Sequence, residues 1–206
     1  MTADVMGEQV RAGVRVEIVT VVWMVLEAAI GIEAGIAAGS VLLTAFGIDS
    51  VIELISGSIL LWRLSIQARG GDPERAERAE RRSALVVAGA LCLLCLYVLG
   101  SALHGLLSHA HPERSPVGIG LAAAALIVMP WLAAAKRRIA SRIDSGALRG
   151  DAASSITCAY MAGTVLAGLV LNAALGWWWA EDVAALAFLV WLAGETWEAL
   201  EEAREG

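Results

Sequence analysis

Near the middle of its second apolar block, the chain reads Phe46-Gly47-Ile48-Asp49-Ser50-Val51-Ile52-Glu53-Leu54-Ile55-Ser56-Gly57. Residues four apart share one face of an α-helix, with Cβ atoms about 5–6 Å apart, so Asp49 and Glu53 can reach one metal ion or share one proton. A charged carboxylate at the centre of a bilayer costs about 2.5–3.5 kcal/mol on insertion scales. Two carboxylates on one spanning helix therefore predict a cation or a retained proton between them.

The composition predicts an all-α, polytopic membrane protein. Of the 206 residues, 58% are hydrophobic and only 17% are charged, whereas soluble domains carry about 25% charged residues. The apolar residues form blocks of roughly the 20 residues that a spanning helix needs. We count six blocks and expect six transmembrane helices: 16–38, 41–62, 84–107, 117–135, 152–175 and 178–197. The sixth is the weakest, because it contains Glu181, Asp182 and Glu195.

The distribution of basic residues predicts the orientation, because cytoplasmic loops are enriched in Lys and Arg. If six spans alternate, only Arg114 of the fifteen Lys and Arg residues falls on the outer side. We therefore expect a cytoplasmic tail over residues 1–15, a six-helix transmembrane domain over 16–200 and a cytoplasmic tail over 201–206. The expected location is a cell membrane, plasma or bacterial inner, and no nucleic-acid partner is expected. The inner-side residues are Arg11, Arg15, Arg63, Arg69, Arg75, Arg78, Arg81, Arg82, Lys136, Arg137, Arg138, Arg142, Arg149 and Arg204.

Glu27 is a further candidate, because it falls at the midpoint of the first block. At that depth a carboxylate must face protein or a water-filled cavity. We predict a role for Glu27 in proton coupling or in support of the metal ligands. The alternative is a structural role, as a neutral acid hydrogen-bonded to a neighbouring helix.

The fifth block supplies a complementary face formed by Asp151, Ser154 and Cys158, spaced three and four residues apart. A thiolate beside the carboxylates of Asp49 and Glu53 would suit Zn²⁺ or a softer divalent ion better than Mg²⁺ or Ca²⁺. Cys158 alone carries little weight, since buried cysteines often only pack.

Two further groups of side chains are weaker candidates for metal binding. Cys92 and Cys95 form a C-x-x-C pair on an apolar block, and we predict that they pack as thiols because no second pair accompanies them. His104, His109 and His111 lie at the outer end of the third block and beyond it. They could form a station for metal release, or they could be ordinary histidines of a solvated loop.

Together, the second and fifth blocks resemble the membrane domain of the cation diffusion facilitator family, and the resemblance covers most of the chain. In that family the second helix carries Asp-x-x-x-Asp or His-x-x-x-Asp, which Asp49 and Glu53 match in spacing. The fifth helix carries an acid followed three places later by two ligands four apart, and these positions correspond to Asp151, Ser154 and Cys158. Serine is a poor metal ligand, so the resemblance implies that Asp49, Glu53 and Cys158 hold the ion with water.

Near the sixth block, Glu181 stands where the family usually has Asp. The resemblance also implies a homodimer and a short, membrane-domain-only member without the cytoplasmic C-terminal domain of many relatives.

The leading functional hypothesis is export of a divalent metal, Zn²⁺ or a similar ion, from the cytoplasm by proton antiport, with the site between helices 2 and 5. No permanent cofactor is expected. The alternatives are a membrane protein that binds metal without transporting it, and an exporter of organic cations centred on Glu27 with nearby Trp23. An enzyme is not expected, because neither H-E-x-x-H nor G-x-S-x-G occurs on a suitable helix.

Overall fold

The computed structural model describes the backbone of residues 3–68, 73–109, 111–143 and 145–205. Within these ranges, the side chains of 3–7, 9, 10, 67, 68, 73–85, 147, 199 and 202–205 are left out of the description. The described residues form six α-helices, which confirms the predicted all-α class: α1 (Ala3–Ala38), α2 (Val41–Ala68), α3 (Pro73–Ser108), α4 (Pro116–Ile143), α5 (Gly146–Leu175) and α6 (Ala180–Glu205).

The helix boundaries agree with the predicted block boundaries at one end of the bundle, and the helices are longer than the blocks at the other end. At the predicted outer end, the block and helix boundaries coincide within two residues. At the predicted inner end, each helix continues for several residues beyond its block, so that α1 already begins at Ala3. Hydropathy marks only the part of a helix that suits hydrocarbon, whereas backbone hydrogen bonding continues into the polar region. The inner-side arginines 69, 75, 78, 81, 82 and 204 lie outside the described side chains.

Five helices, α1 to α5, are long and apolar enough to cross a membrane. Among the described residues, helix α6 does not meet the same criteria of length and hydropathy, so the sixth span stays a prediction. Its outward face is nevertheless apolar, with Val190 69% and Trp197 61% exposed. Large exposed hydrophobic side chains of this kind suit contact with lipid.

Helices α1 and α2 approach each other closely through glycine. A Cβ atom on Gly47 would lie 2.6 Å from the backbone N of Ile32 and 2.9 Å from the carbonyl carbon of Gly31. Small residues at such contacts let the two backbones pack directly. This packing fixes the position of α2, and with it the position of Asp49.

We expect Gly47→Ala to destabilise the bundle, because the new methyl group meets backbone atoms that cannot move out of the way. Overpacking of this kind costs about 1–3 kcal/mol. The matched control is Gly89→Ala on α3, since a Cβ there meets no atom within 4 Å. Thermal unfolding of the two purified variants in detergent should show a lower midpoint for Gly47→Ala only. Equal midpoints would contradict the close contact of α1 with α2.

Candidate metal-binding site

Three carboxylates from two helices converge inside the bundle. Asp49 and Glu53 project from one face of α2, and Glu195 comes from α6, which packs against α2. One carboxylate oxygen from each residue lies within 4.8 Å of the other two. We call Asp49, Glu53 and Glu195 the acidic cluster.

The acidic cluster is poorly satisfied by protein hydrogen bonds. Asp49 is 1% exposed and Glu53 is 7% exposed, while Glu195 is half-buried. Among the described residues, neither oxygen of Asp49 and only one oxygen of Glu53 has a hydrogen-bond partner. A buried carboxylate without a partner is strongly unfavourable. The arrangement therefore calls for a cation or for retained protons.

Ser154 connects the acidic cluster to α5. Its hydroxyl lies 3.1 Å from Glu53 Oε1 and 3.4 Å from Glu195 Oε1, and it can donate to either oxygen. The sequence placed Ser154 at a ligand position, and the structure places it beside the two glutamates. In this position the Ser154 hydroxyl can orient the carboxylates of Glu53 and Glu195.

The three oxygens could surround a single small cation after they move closer together. Zinc binds carboxylate oxygens at about 2.0–2.2 Å, so three oxygens spread evenly around one ion are at most about 3.8 Å apart. The cluster oxygens lie within 4.8 Å of one another. Side-chain movements of up to about 1 Å would bring them around one ion.

Glu27 and Cys158 form a second locus next to the acidic cluster. The thiol of Cys158 donates to Glu27 Oε1 at 3.6 Å, and the hydroxyl of Ser50 donates to the same oxygen at 2.9 Å. The indole N–H of Trp23 donates to Glu27 Oε2. Glu27 is only 1% exposed, yet both of its carboxylate oxygens accept hydrogen bonds. Since Ser50 follows Asp49 in the chain, this network holds α1 and α5 against the part of α2 that carries Asp49.

Asp151 lies outside the acidic cluster. Its carboxylate forms an ion pair with Lys136, which also lies 3.4 Å from Glu17 Oε2 and 3.2 Å from Ser155 Oγ. Asp151 was predicted as a metal ligand from its position before Ser154, but its nearby cation is a lysine of this chain. Asp151 is therefore not one of the three carboxylates that converge in the acidic cluster.

Lys136 also corrects the sequence interpretation. It was counted with the cytoplasmic loop after the fourth block, whereas it lies inside α4 with no exposed surface. Its ammonium group is held between α1 and α5 by Glu17 and Asp151. Glu17 itself was not singled out from the sequence, because it stands at the edge of the first block, two residues after Arg15.

The cysteines and histidines that were the weaker candidates for metal binding are not among the three residues of the acidic cluster. Cys92 and Cys95 are free thiols, and Cys95 contacts the hydroxyl of Thr196 at 3.6 Å. The rings of His109 and His111 lie 4.9 and 5.5 Å from that of Trp178. His104 stands apart from these two and lines a cavity near the start of α6.

Comparison with known proteins identifies the class of this bundle. The model of the cation efflux transmembrane domain matches residues 18–205. A protein described as an uncharacterized transporter of Synechocystis sp. is 29% identical over 151 residues, which cover 72% of this chain and 49% of the relative. The chain thus spans about half the length of that relative.

Five helices of this bundle are long and apolar enough to cross a membrane, and the bundle buries several carboxylates. Buried carboxylates inside a membrane bundle are typical of proteins that move cations. The family match covers most of the chain, so this protein belongs to the cation efflux family. The resemblance drawn from Asp49, Glu53 and the fifth helix is thereby confirmed, and the protein is an integral membrane protein.

Proposed function

We propose that the protein exports a divalent metal cation, Zn²⁺ or a similar ion, from the cytoplasm in exchange for protons. The main support is the acidic cluster, in which three carboxylate oxygens converge. Both oxygens of Asp49 and one oxygen of Glu53 are buried without a hydrogen-bond partner among the described residues. Membership of the cation efflux family supports transport as the activity.

The coupling follows from competition for the same carboxylates. Three acids this close repel one another strongly when they are all ionised, so the metal-free cluster retains one or more protons. A divalent ion supplies the balancing charge and displaces those protons. If the cluster faces the two sides of the membrane in turn, metal leaves on one side and protons are taken up there.

The site differs from the arrangement expected from the sequence. We propose Asp49, Glu53 and Glu195 as the direct ligands, with Ser154 holding the two glutamates. Cys158 and Glu27 form the supporting layer, since the thiol donates to Glu27. The site thus lies between α2 and α6 with α5 beside it. A ligand set made of carboxylate oxygens can bind Zn²⁺ and also suits Mn²⁺.

The proposed orientation places both termini in the cytoplasm. Because Lys136 is buried in the bundle, it no longer counts as a loop residue. Thirteen Lys and Arg residues then remain on the inner side, and Arg114 alone lies on the outer side. This distribution still follows the rule for cytoplasmic loops. We also propose that the protein works as a homodimer, as the family resemblance implies.

Transport can be tested in proteoliposomes that contain the full chain and a Zn²⁺-sensitive dye. An imposed pH gradient is expected to drive Zn²⁺ flux, and Asp49→Asn should reduce that flux by at least about tenfold, because loss of even a supporting group lowers metal affinity 10–100-fold. Glu33→Gln is the matched control, since Glu33 is an exposed carboxylate on α1.

Flux that ignores the pH gradient would contradict antiport. Flux that is unchanged in Asp49→Asn would contradict the site. Zn²⁺ binding without any flux would instead support a metal-binding protein that does not transport.

A further inference from the structure

A cavity of about 330 Å³ lies at the predicted outer end of the bundle, where the turn between α1 and α2 meets the end of α3 and the start of α6. His104, Glu181 and Asp182 all line it. The cavity lies far from the acidic cluster: Asp182 and Glu195 are thirteen residues apart on α6, which corresponds to about 20 Å along the helix axis.

Glu181 is fully engaged in holding the helices together. Its Oε1 accepts a hydrogen bond from the amide of Asn172 at 2.6 Å, and its Oε2 accepts one from the hydroxyl of Ser40. Asn172 also donates to the carbonyl of Pro112 at 3.1 Å. Glu181 therefore braces the ends of several helices and has little capacity left for a ligand.

Asp182 is different, because it is buried and incompletely paired. The residue is 6% exposed, and its Oδ2 has no hydrogen-bond partner among the described residues. Its carboxylate lies against Gly105 of α3, where a Cβ atom would come 2.5 and 2.8 Å from the two oxygens. The glycine thus leaves the space that this carboxylate occupies. Asp182 also stands in the first turn of α6, where the helix dipole favours a negative charge.

His104 supplies a second donor to the same cavity. It precedes Gly105, is exposed and lines the cavity together with Asp182. Imidazole with carboxylate is a donor pair that suits Zn²⁺ and similar ions. At about 30 Å³ per water molecule, the cavity has room for roughly ten waters, enough for an ion that keeps much of its hydration shell.

We propose that Asp182 and His104 form a second divalent-cation site, the outer site, which receives the partly hydrated ion after it leaves the acidic cluster. This inference rests on the proposed export function. With only two protein ligands, the outer site binds more weakly than the acidic cluster and releases its ion readily.

The test is calorimetric titration of Zn²⁺ into the purified full chain in nanodiscs. The wild type should show a tighter and a weaker binding event. Asp182→Asn and His104→Gln should each lower the affinity of the weaker event by about tenfold and leave the tighter event unchanged. Glu113→Gln is the matched control, because Glu113 is an exposed carboxylate on the same side of the bundle. Asp49→Asn should remove only the tighter event.

A single event that disappears in Asp49→Asn would overturn the outer site while supporting the acidic cluster. A weaker event that persists unchanged in both outer-site variants would overturn it as well. A tighter event that survives Asp49→Asn would instead count against the proposed function. If Asp182→Asn does not fold, His104→Gln decides alone, since His104 is exposed at the surface.

Discussion

Glu195→Gln is expected to lower the Zn²⁺ affinity of the protein by at least about 100-fold and to abolish metal flux. Glutamine keeps the size of the side chain but removes one of the three negative charges of the acidic cluster. Supporting groups around metal sites already contribute 10–100-fold to affinity, so a direct ligand should contribute at least the upper end of that range. The change is measured by Zn²⁺ titration and by dye-reported flux.

Glu198→Gln provides the matched control for this prediction. Glu198 lies three residues further along α6, is exposed and does not belong to the acidic cluster. The control variant should bind and transport like the wild type. If Glu195→Gln behaves like Glu198→Gln, then Glu195 is not a ligand, and the site reverts to α2 and α5 alone.

The second large effect is expected at the buried lysine. Lys136→Met should destabilise the protein by about 3–5 kcal/mol, because it leaves the carboxylates of Glu17 and Asp151 inside the bundle without their cation. Chemical unfolding in mixed micelles, followed by helical circular dichroism, measures the loss. Arg137→Met is the control, since Arg137 is the next residue on α4 and is exposed.

A rescue variant separates charge from packing at this position. Replacing Glu17 by Gln and Asp151 by Asn in the Lys136→Met background removes the unpaired charges and should restore most of the lost stability. If Lys136→Met is no less stable than Arg137→Met, the ion pairs do not hold α1, α4 and α5 together. If the rescue variant remains as unstable as Lys136→Met, lost packing is the cause.

The helices and two of the three residues of the acidic cluster were predictable from local pattern. Apolar blocks fix where hydrocarbon can surround a helix, and the outer helix ends follow them closely. Asp49 and Glu53 were predicted as partners because spacing along one helix determines which side chains share a face. Ser154 was found in the same way, from the periodicity of the fifth block.

The third carboxylate of the acidic cluster depends on packing between distant segments, which spacing does not reveal. Glu195 was weighed only as a charge that weakens the sixth block, because a charged residue near the end of an apolar run shortens its uninterrupted core. Its neighbours Leu192 and Thr196 are buried, so this part of α6 faces the bundle. Glu195 could have been identified from its helical spacing to residues such as Leu192 that face the bundle.

Lys136 of α4 shows the same difficulty. It begins the run Lys136-Arg137-Arg138, which reads as a cytoplasmic loop. Only its helical spacing from the buried residues Leu132, Ala133 and Ala140 indicates the inward face of α4. Asp151 was assigned to the metal for the related reason that its partner lies on another helix.

The most direct test of the account is an anomalous diffraction map, collected at the zinc edge, of the full chain crystallised with Zn²⁺. We expect a peak between α2 and α6, with one oxygen each of Asp49, Glu53 and Glu195 at about 2.0–2.2 Å from the ion. The same map of Asp49→Asn should lack this peak. An ion bound instead at Asp151 or at Cys158, with the acidic cluster empty, would contradict the account.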